Sequence, residues 1–189
     1  MSKTVILYGS SEGQTAKIAH YIAGIIREKG HTVDVIDARS LPAHFSLQAY
    51  AAVIVGASIH MEHYQEYIRR LVAQNHEALN RMQTAFFSVC LTEAYPDPVQ
   101  KTDLEPLIAT FLQKTQWHPQ NRASFAGALI YSKYGFLKRF FMRRVARRAG
   151  ITTDPSHDYE FTDWEAVTRF AENFAISLRP SQEVRVFET

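Results

Sequence analysis

Cysteine is nearly absent from this sequence, because Cys90 is the only one in 189 residues. An intrachain disulfide is therefore excluded, and we expect the protein to work in a reducing compartment, the cytoplasm. No run approaches the ~18 apolar residues of a membrane span, and no charged and apolar leader precedes the first predicted strand. Neither a transmembrane helix nor a secretory signal is therefore predicted. The eight histidines lack the spacing of metal ligands, so no metal site is expected.

Acidic residues are missing from residues 132–150, although they are common elsewhere. That stretch carries seven basic side chains, whereas the rest of the chain has 14 basic and 19 acidic residues. The net charge of +2 therefore hides one concentrated basic patch. Its members are Lys133, Lys138, Arg139, Arg143, Arg144, Arg147 and Arg148.

Strand-like and helix-like segments alternate along the chain with short links. Apolar residues make up 46%, so we predict a single domain over residues 1–179 and a loose tail over 180–189. The alternation predicts a doubly wound α/β fold with a five-stranded parallel sheet. The second strand is less apolar than the first and third, which favours an edge position and the order 2-1-3-4-5. The predicted strands cover residues 3–8, 31–37, 50–57, 84–91 and 122–131.

A turn rich in hydroxyl groups joins the first predicted strand to the first predicted helix. It contains Ser10, Ser11, Glu12, Gly13, Gln14 and Thr15. Unpaired N–H groups and the helix dipole favour an anion at such a junction, and serine and threonine donate to phosphate oxygens. The alternative is an ordinary helix cap, because Ser11 and Gln14 also have the spacing of a capping box. The place of the turn, at the carboxyl end of a strand beside the predicted switch point, favours phosphate binding.

The Ser10–Thr15 turn contains neither the Gly-Lys-Ser/Thr of a P-loop nor the Gly-x-Gly-x-x-Gly of a dinucleotide site. Hydroxyl groups without lysine suit a monophosphate. The turn resembles the FMN-phosphate loop of flavodoxins, whose pattern is roughly Thr-x-Thr-Gly-Asn-Thr. The difference is Glu12, where flavodoxins usually carry a hydroxyl group, so we expect its backbone rather than its carboxylate to face the ligand.

Four further segments extend this resemblance over nearly the whole chain: Gly56–Tyr64, Phe86–Leu91, Ser124–Tyr131 and Tyr159–Trp164. Together they resemble the menaquinone-dependent protoporphyrinogen IX dehydrogenase family, flavodoxin-like enzymes of bacterial haem biosynthesis. The resemblance implies bound FMN and oxidation of protoporphyrinogen IX to protoporphyrin IX, with menaquinone or ubiquinone as the acceptor. It also implies a long insert after the fifth strand, here residues 132–158. The basic residues of that insert lead us to expect a peripheral position on the inner face of the cell membrane.

The flavin ring is expected between the loops that follow the third and fourth strands. The expected ring-binding residues are Ser58, Ile59, His60, Ser88, Val89, Cys90, Leu91 and Tyr95. Each of the loop residues His60 and Tyr95 also fits an ordinary surface position, and Cys90 fits a small packed residue better than a redox thiol. No acid or base catalyst is identified.

The basic insert is open to several interpretations. It fits a solvated loop, an element bound to an anionic membrane surface, and a clamp whose arginines hold the substrate's propionates. Binding to nucleic acid is not expected in an otherwise acidic chain. Alternative functions are a flavodoxin-type electron carrier and an NAD(P)H:quinone reductase, and the oligomeric state, homo-oligomers included, stays open.

Overall fold

The structure, a computed structural model, describes residues 2–60, 63–94, 104–136, 140, 142–144, 146 and 153–178. Its strands are β1 Lys3–Gly9, β2 Thr32–Asp37, β3 Ala52–His60, β4 His63–Tyr64, β5 Gln83–Cys90, β6 Asn121–Ala126, β7 Ala128–Leu129 and β8 Tyr159–Glu160. Its helices are α1 Gln14–Glu28, α2 Glu66–Arg81, α3 Leu104–Thr115 and α4 Trp164–Ser177. Short 3₁₀ turns cover Leu47–Ala49, Leu91–Ala94 and Tyr131–Lys133.

The main sheet has the order β2-β1-β3-β5-β6, and these five strands are parallel. The predicted order 2-1-3-4-5 and the α/β class are thereby confirmed. The order reverses between β1 and β3, whose carboxyl ends lie side by side with Gly9 opposite Ala57. Ligands of such sheets bind outside these ends.

Helices cover both faces of the sheet, as the alternation of strands and helices predicts. Isoleucines of α1 and phenylalanines of α4 pack on one face against β1, β3 and β5, and Ile6 and Ile54 point toward them. On the other face α2 and α3 pack against Val53, Val55 and Phe86. The strands β1, β3 and β5 are therefore buried on both faces, which explains their continuous apolar runs.

Two predicted segments are wrong in detail. The fifth strand was expected to run over residues 122–131, but β6 ends at Ala126 and the chain leaves the sheet at Gly127 to form β7, which pairs with β8. The Gly127 N–H donates to the Cys90 carbonyl oxygen at 3.1 Å, and its own carbonyl oxygen accepts from the Phe161 N–H. The segment after Ala57 was expected to be a loop, but β3 continues to His60 and pairs with the antiparallel β4.

Several expectations lie outside the described residues. They concern Tyr95 and the basic residues Lys138, Arg139, Arg147 and Arg148, as well as the tail 180–189. The backbone of His60 is described, but its side chain is not. Over the part of the chain that is described, no helix combines the length and the apolar character that crossing a bilayer requires.

Candidate functional site

The Ser10–Thr15 turn leads from β1 into α1 with an unusual backbone conformation. Gly13 is the N-cap of α1 and has φ of 106°, a region that side chains with a Cβ rarely adopt. No side chain caps the helix, so the alternative of a Ser11–Gln14 capping box is wrong. Instead, the Gly13 N–H donates to Ser10 Oγ at 2.9 Å, which closes the turn on itself.

Gln14 and Thr15, the last two residues of the turn, are packed inside the protein. Both are buried, and Gln14 Nε2 donates to Thr162 Oγ1 at 2.8 Å. Thr162 Oγ1 in turn donates to the Ala126 carbonyl oxygen at 2.8 Å, at the end of β6. This buried chain of hydrogen bonds holds the start of α1 against the sheet, so Gln14 positions the turn and its amide is occupied by Thr162.

Gln65, the residue before α2, connects the first and third strand ends. Its Nε2 donates to Ser58 Oγ at 2.5 Å and lies 3.5 Å from Ser11 Oγ. Close approach here requires glycine at position 9, because a Cβ there would lie 2.6 Å from Ile68 Cγ1. Gln65 therefore joins the turn to one of the predicted ring-binding residues. Neither its residue type nor its spacing signals this role in the sequence.

The base of the insert rests on the Ser10–Thr15 turn. Lys133 Nζ donates to the Glu12 carbonyl oxygen at 3.1 Å, and the Tyr134 hydroxyl group donates to the Glu12 carboxylate. Tyr134 is buried, and its burial together with the hydrogen bond to Glu12 raises the pKa of its phenol. The carboxylate of Glu12 is thus held by the insert, a contact across more than 120 residues that no local pattern indicates.

A cleft of about 280 Å³ opens beside the turn. The turn contributes Ser10, Ser11, Glu12 and Gly13 to its wall, and the insert contributes Lys133 and Tyr134. The end of β2 adds Asp37 and Arg39, which form a salt bridge of 2.7 Å. The guanidinium of Arg39 holds the pKa of the Asp37 carboxyl group below its usual range. The hydroxyl groups of Ser10 and Ser11 and the cations Arg39 and Lys133 thus line one space at the start of α1. Its two carboxylates, Glu12 and Asp37, are held by Tyr134 and Arg39, so the cleft suits a phosphate monoester.

The residues predicted to bind the ring lie at the carboxyl ends of β3 and β5. Ser58, Ile59 and His60 end β3, and Ser58 stands opposite Val89 in the sheet. Ser88, Val89 and Cys90 are buried, and the hydroxyl groups of Ser88 and Tyr64 lie 2.9 Å apart. Burial raises the pKa of the Tyr64 phenol. Leu91 begins the 3₁₀ turn beyond the sheet and is half-buried.

The insert is partly packed, which argues against a purely solvated loop. Tyr131, Tyr134 and Ala146 are buried together with Leu129 in a small separate core. Two large side chains nevertheless face solvent, since Phe136 is 85% exposed and Phe140 is 67% exposed. Arg143 and Arg144 are exposed as well. Lys133 differs from them because its ammonium group contacts the Ser10–Thr15 turn.

Comparisons with known proteins agree with this architecture. The Flavodoxin domain family matches residues 5–156. Oxidised flavodoxin 1 from Bacillus cereus superposes with a TM-score of 0.56 at 21% identity, over 94% of this chain and 100% of that one. At this level of identity the structural similarity concerns the fold.

Two relatives carry the same name in distant organisms. Protoporphyrinogen IX dehydrogenase (quinone) from Escherichia coli strain K12 is 34% identical over 173 residues, 92% of this chain and 94% of that protein. The protein of this name from Leishmania major is 34% identical over 177 residues, 92% of this chain and 74% of that protein. The chain therefore belongs to the flavodoxin-domain family of quinone-dependent protoporphyrinogen IX dehydrogenases.

Proposed function

We propose that this protein oxidises protoporphyrinogen IX to protoporphyrin IX with FMN as cofactor and a quinone as electron acceptor. The proposal rests on one observation, which is that two features line the same cleft beside α1. One is the Ser10–Thr15 turn, and the other is the insert, which contacts that turn through Lys133 and Tyr134. Relatives of this name are 34% identical over 92% of the chain, which supports the same reading.

The described residues suit FMN in two separate regions. Ser10, Ser11 and the N–H groups at the start of α1 would hold the phosphate, since they supply neutral donors at the positive end of a helix dipole. The ends of β3 and β5, with Ser58 and Leu91, would border the ring. When bound, FMN supplies acceptance and release of electron pairs, which the protein's own side chains do not provide.

Turnover of protoporphyrinogen distinguishes this function from its alternatives. The purified, FMN-loaded chain should form fluorescent porphyrin faster than air does alone, and faster again with a quinone. A flavodoxin-type carrier would not accelerate porphyrin formation, and a rate no higher than autoxidation would reject the proposal. Bleaching of the flavin by NAD(P)H would instead favour the NAD(P)H:quinone reductase.

We further propose that the insert binds an anionic membrane surface on the cytoplasmic side. Phe136 and Phe140 lie four positions apart in the sequence, and both rings are exposed. Arg143 and Arg144 follow them and are exposed. Exposed aromatic rings beside arginines suit the boundary between headgroups and acyl chains, where a quinone is within reach.

Vesicle co-sedimentation tests this membrane contact. Arg143→Gln combined with Arg144→Gln should weaken binding to phosphatidylglycerol vesicles by about 2 kcal/mol, or roughly 30-fold, at about 1 kcal/mol per cation. The control is Lys29→Gln with Lys114→Gln, which removes two charges from the C-terminal ends of α1 and α3, away from the carboxyl ends of the strands. Equal vesicle binding by the wild type and the arginine variant would show that Arg143 and Arg144 do not bind the membrane. It would favour the alternative that they bind the propionates of the substrate.

A further inference from the structure

The Ser10–Thr15 turn offers a phosphate hydroxyl and N–H donors but no cation of its own. A phosphate monoester carries nearly two negative charges at neutral pH, but residues 10–15 include no lysine or arginine. Glu12 adds a negative charge of its own. The dipole of α1 offers only about half a positive charge at this end. If the turn binds FMN as proposed above, a cation from elsewhere in the fold would add charge compensation to these neutral donors.

Lys133 brings a cation to the Ser10–Thr15 turn. Its ammonium group donates to the Glu12 carbonyl oxygen at 3.1 Å and lies 3.4 Å from the point where a Cβ of Gly13 would be. It lines the same cleft as Ser10 and Ser11. Its described hydrogen-bond partner is a neutral carbonyl oxygen rather than a carboxylate.

The backbone around Lys133 is fixed before any ligand arrives. The 3₁₀ turn Tyr131–Lys133 is closed by the Lys133 N–H, which donates to the Ile130 carbonyl oxygen at 3.0 Å. Ser132 Oγ donates to Asp158 at 2.6 Å, and the hydroxyl groups of Tyr131 and Thr153 lie 2.7 Å apart. The lysine is therefore presented by a packed turn, which lowers the entropic cost of holding it at the cleft.

The other described cation in the cleft is less available. Arg39 binds Asp37 through its guanidinium at 2.7 Å and through its backbone N–H at 2.9 Å. This pair is nearly neutral as a unit. Glu12 is likewise engaged, since the Tyr134 hydroxyl group donates to its carboxylate. Lys133 is thus the described cation that remains for an incoming phosphate.

We propose that Lys133 is a cofactor-binding residue that neutralises the phosphate of FMN, and that Tyr134 assists by holding the Glu12 carboxylate on the insert. The insert thereby completes the phosphate site that the Ser10–Thr15 turn begins. This inference rests on the proposed function only in taking the ligand to be FMN. It predicts that the lysine distinguishes FMN from riboflavin, which has the same ring and no phosphate.

The test compares the two flavins on the full-length apoprotein by quenching of flavin fluorescence. Lys133→Met should lower FMN affinity about 10- to 100-fold, the range of one charge-assisted hydrogen bond, and leave riboflavin affinity unchanged. Lys133→Arg should restore most of the FMN affinity. The matched control Lys29→Met removes the same charge from the far end of α1, where Lys29 pairs with Glu172, and should change neither affinity.

The outcomes separate the inference from the function on which it rests. If Lys133→Met loses affinity for FMN and riboflavin equally, Lys133 only supports the fold. If its FMN affinity is unchanged, Lys133 does not contact the phosphate. Either result overturns the inference while leaving FMN as the cofactor. A wild-type chain that binds riboflavin as tightly as FMN would overturn both the phosphate role of the turn and the role of Lys133.

Discussion

The backbone of Gly13 offers a sharp test of the Ser10–Thr15 turn. With φ of 106°, an alanine at this position would be forced into a conformation that costs about 1–3 kcal/mol. Steric overlap adds little, because the nearest atom to the new Cβ is the flexible Lys133 Nζ at 3.4 Å. For a chain of this length each kcal/mol shifts the melting temperature by about 2–4 °C. Gly13→Ala should therefore lower the melting temperature of the apoprotein by roughly 2–12 °C.

Gly24 provides the control on the same helix. It lies in the interior of α1, and among the described residues no atom beyond the adjoining helix backbone lies within 4 Å of an added Cβ. Gly24→Ala should stabilise the protein by about 0.5–1 kcal/mol, because alanine loses less backbone entropy in a helix. The two variants carry the same chemical change with opposite expected signs, measured by thermal and urea unfolding. A neutral or stabilising Gly13→Ala would refute the described geometry of the turn.

Three other predictions concern the support of the site and the core. Thr162→Val should cost about 1–3 kcal/mol in urea unfolding, because Gln14 Nε2 and a buried carbonyl oxygen lose their partner, whereas Thr162→Ser should stay close to wild type. Phe86→Ala should cost about 3–5 kcal/mol, since the ring is buried between the sheet and two helices; a smaller loss would mean looser packing there. Burial and the hydrogen bond to Asp34 raise the pKa of Tyr50 to about 12. Its neutral form is therefore favoured in the folded state, so stability present below pH ~10 is lost as pH rises toward 12. Tyr50→Phe should flatten this alkaline loss in unfolding measured between those values, and an unchanged slope would contradict the assignment.

The order of the sheet could be predicted because each strand carries its own local signal. Apolar runs over β3 and β5 indicate strands covered on both faces, and the mixed pattern of Thr32–Asp37 indicates an edge. The break at Gly127 could not be predicted, because apolar residues continue through it on both sides. What ends β6 there is tertiary: β8, more than thirty residues later, offers hydrogen bonds to the chain after Gly127.

The candidate site likewise has one part that local sequence predicts and another that depends on long-range contacts. The place of the Ser10–Thr15 turn followed from the first strand and helix, which are adjacent in the chain. The contacts that complete it come from far away: Gln65 from the start of α2, Thr162 before α4, and the pair Lys133 and Tyr134 from the insert. Sequence spacing carries no information on such pairs. The basic patch could be recognised from composition alone. Only the structure shows that Lys133 contacts the Ser10–Thr15 turn while Arg143 and Arg144 face solvent.

The most direct test of the proposed function is the stoichiometry of the reaction without oxygen. Conversion of protoporphyrinogen IX to protoporphyrin IX removes six electrons, and each quinone accepts two. Under anaerobic conditions the FMN-loaded protein should form porphyrin only when a quinone is supplied, and three quinones should be reduced for each porphyrin formed. Porphyrin formation at the same rate without quinone, or quinone added without any porphyrin appearing, would contradict the account.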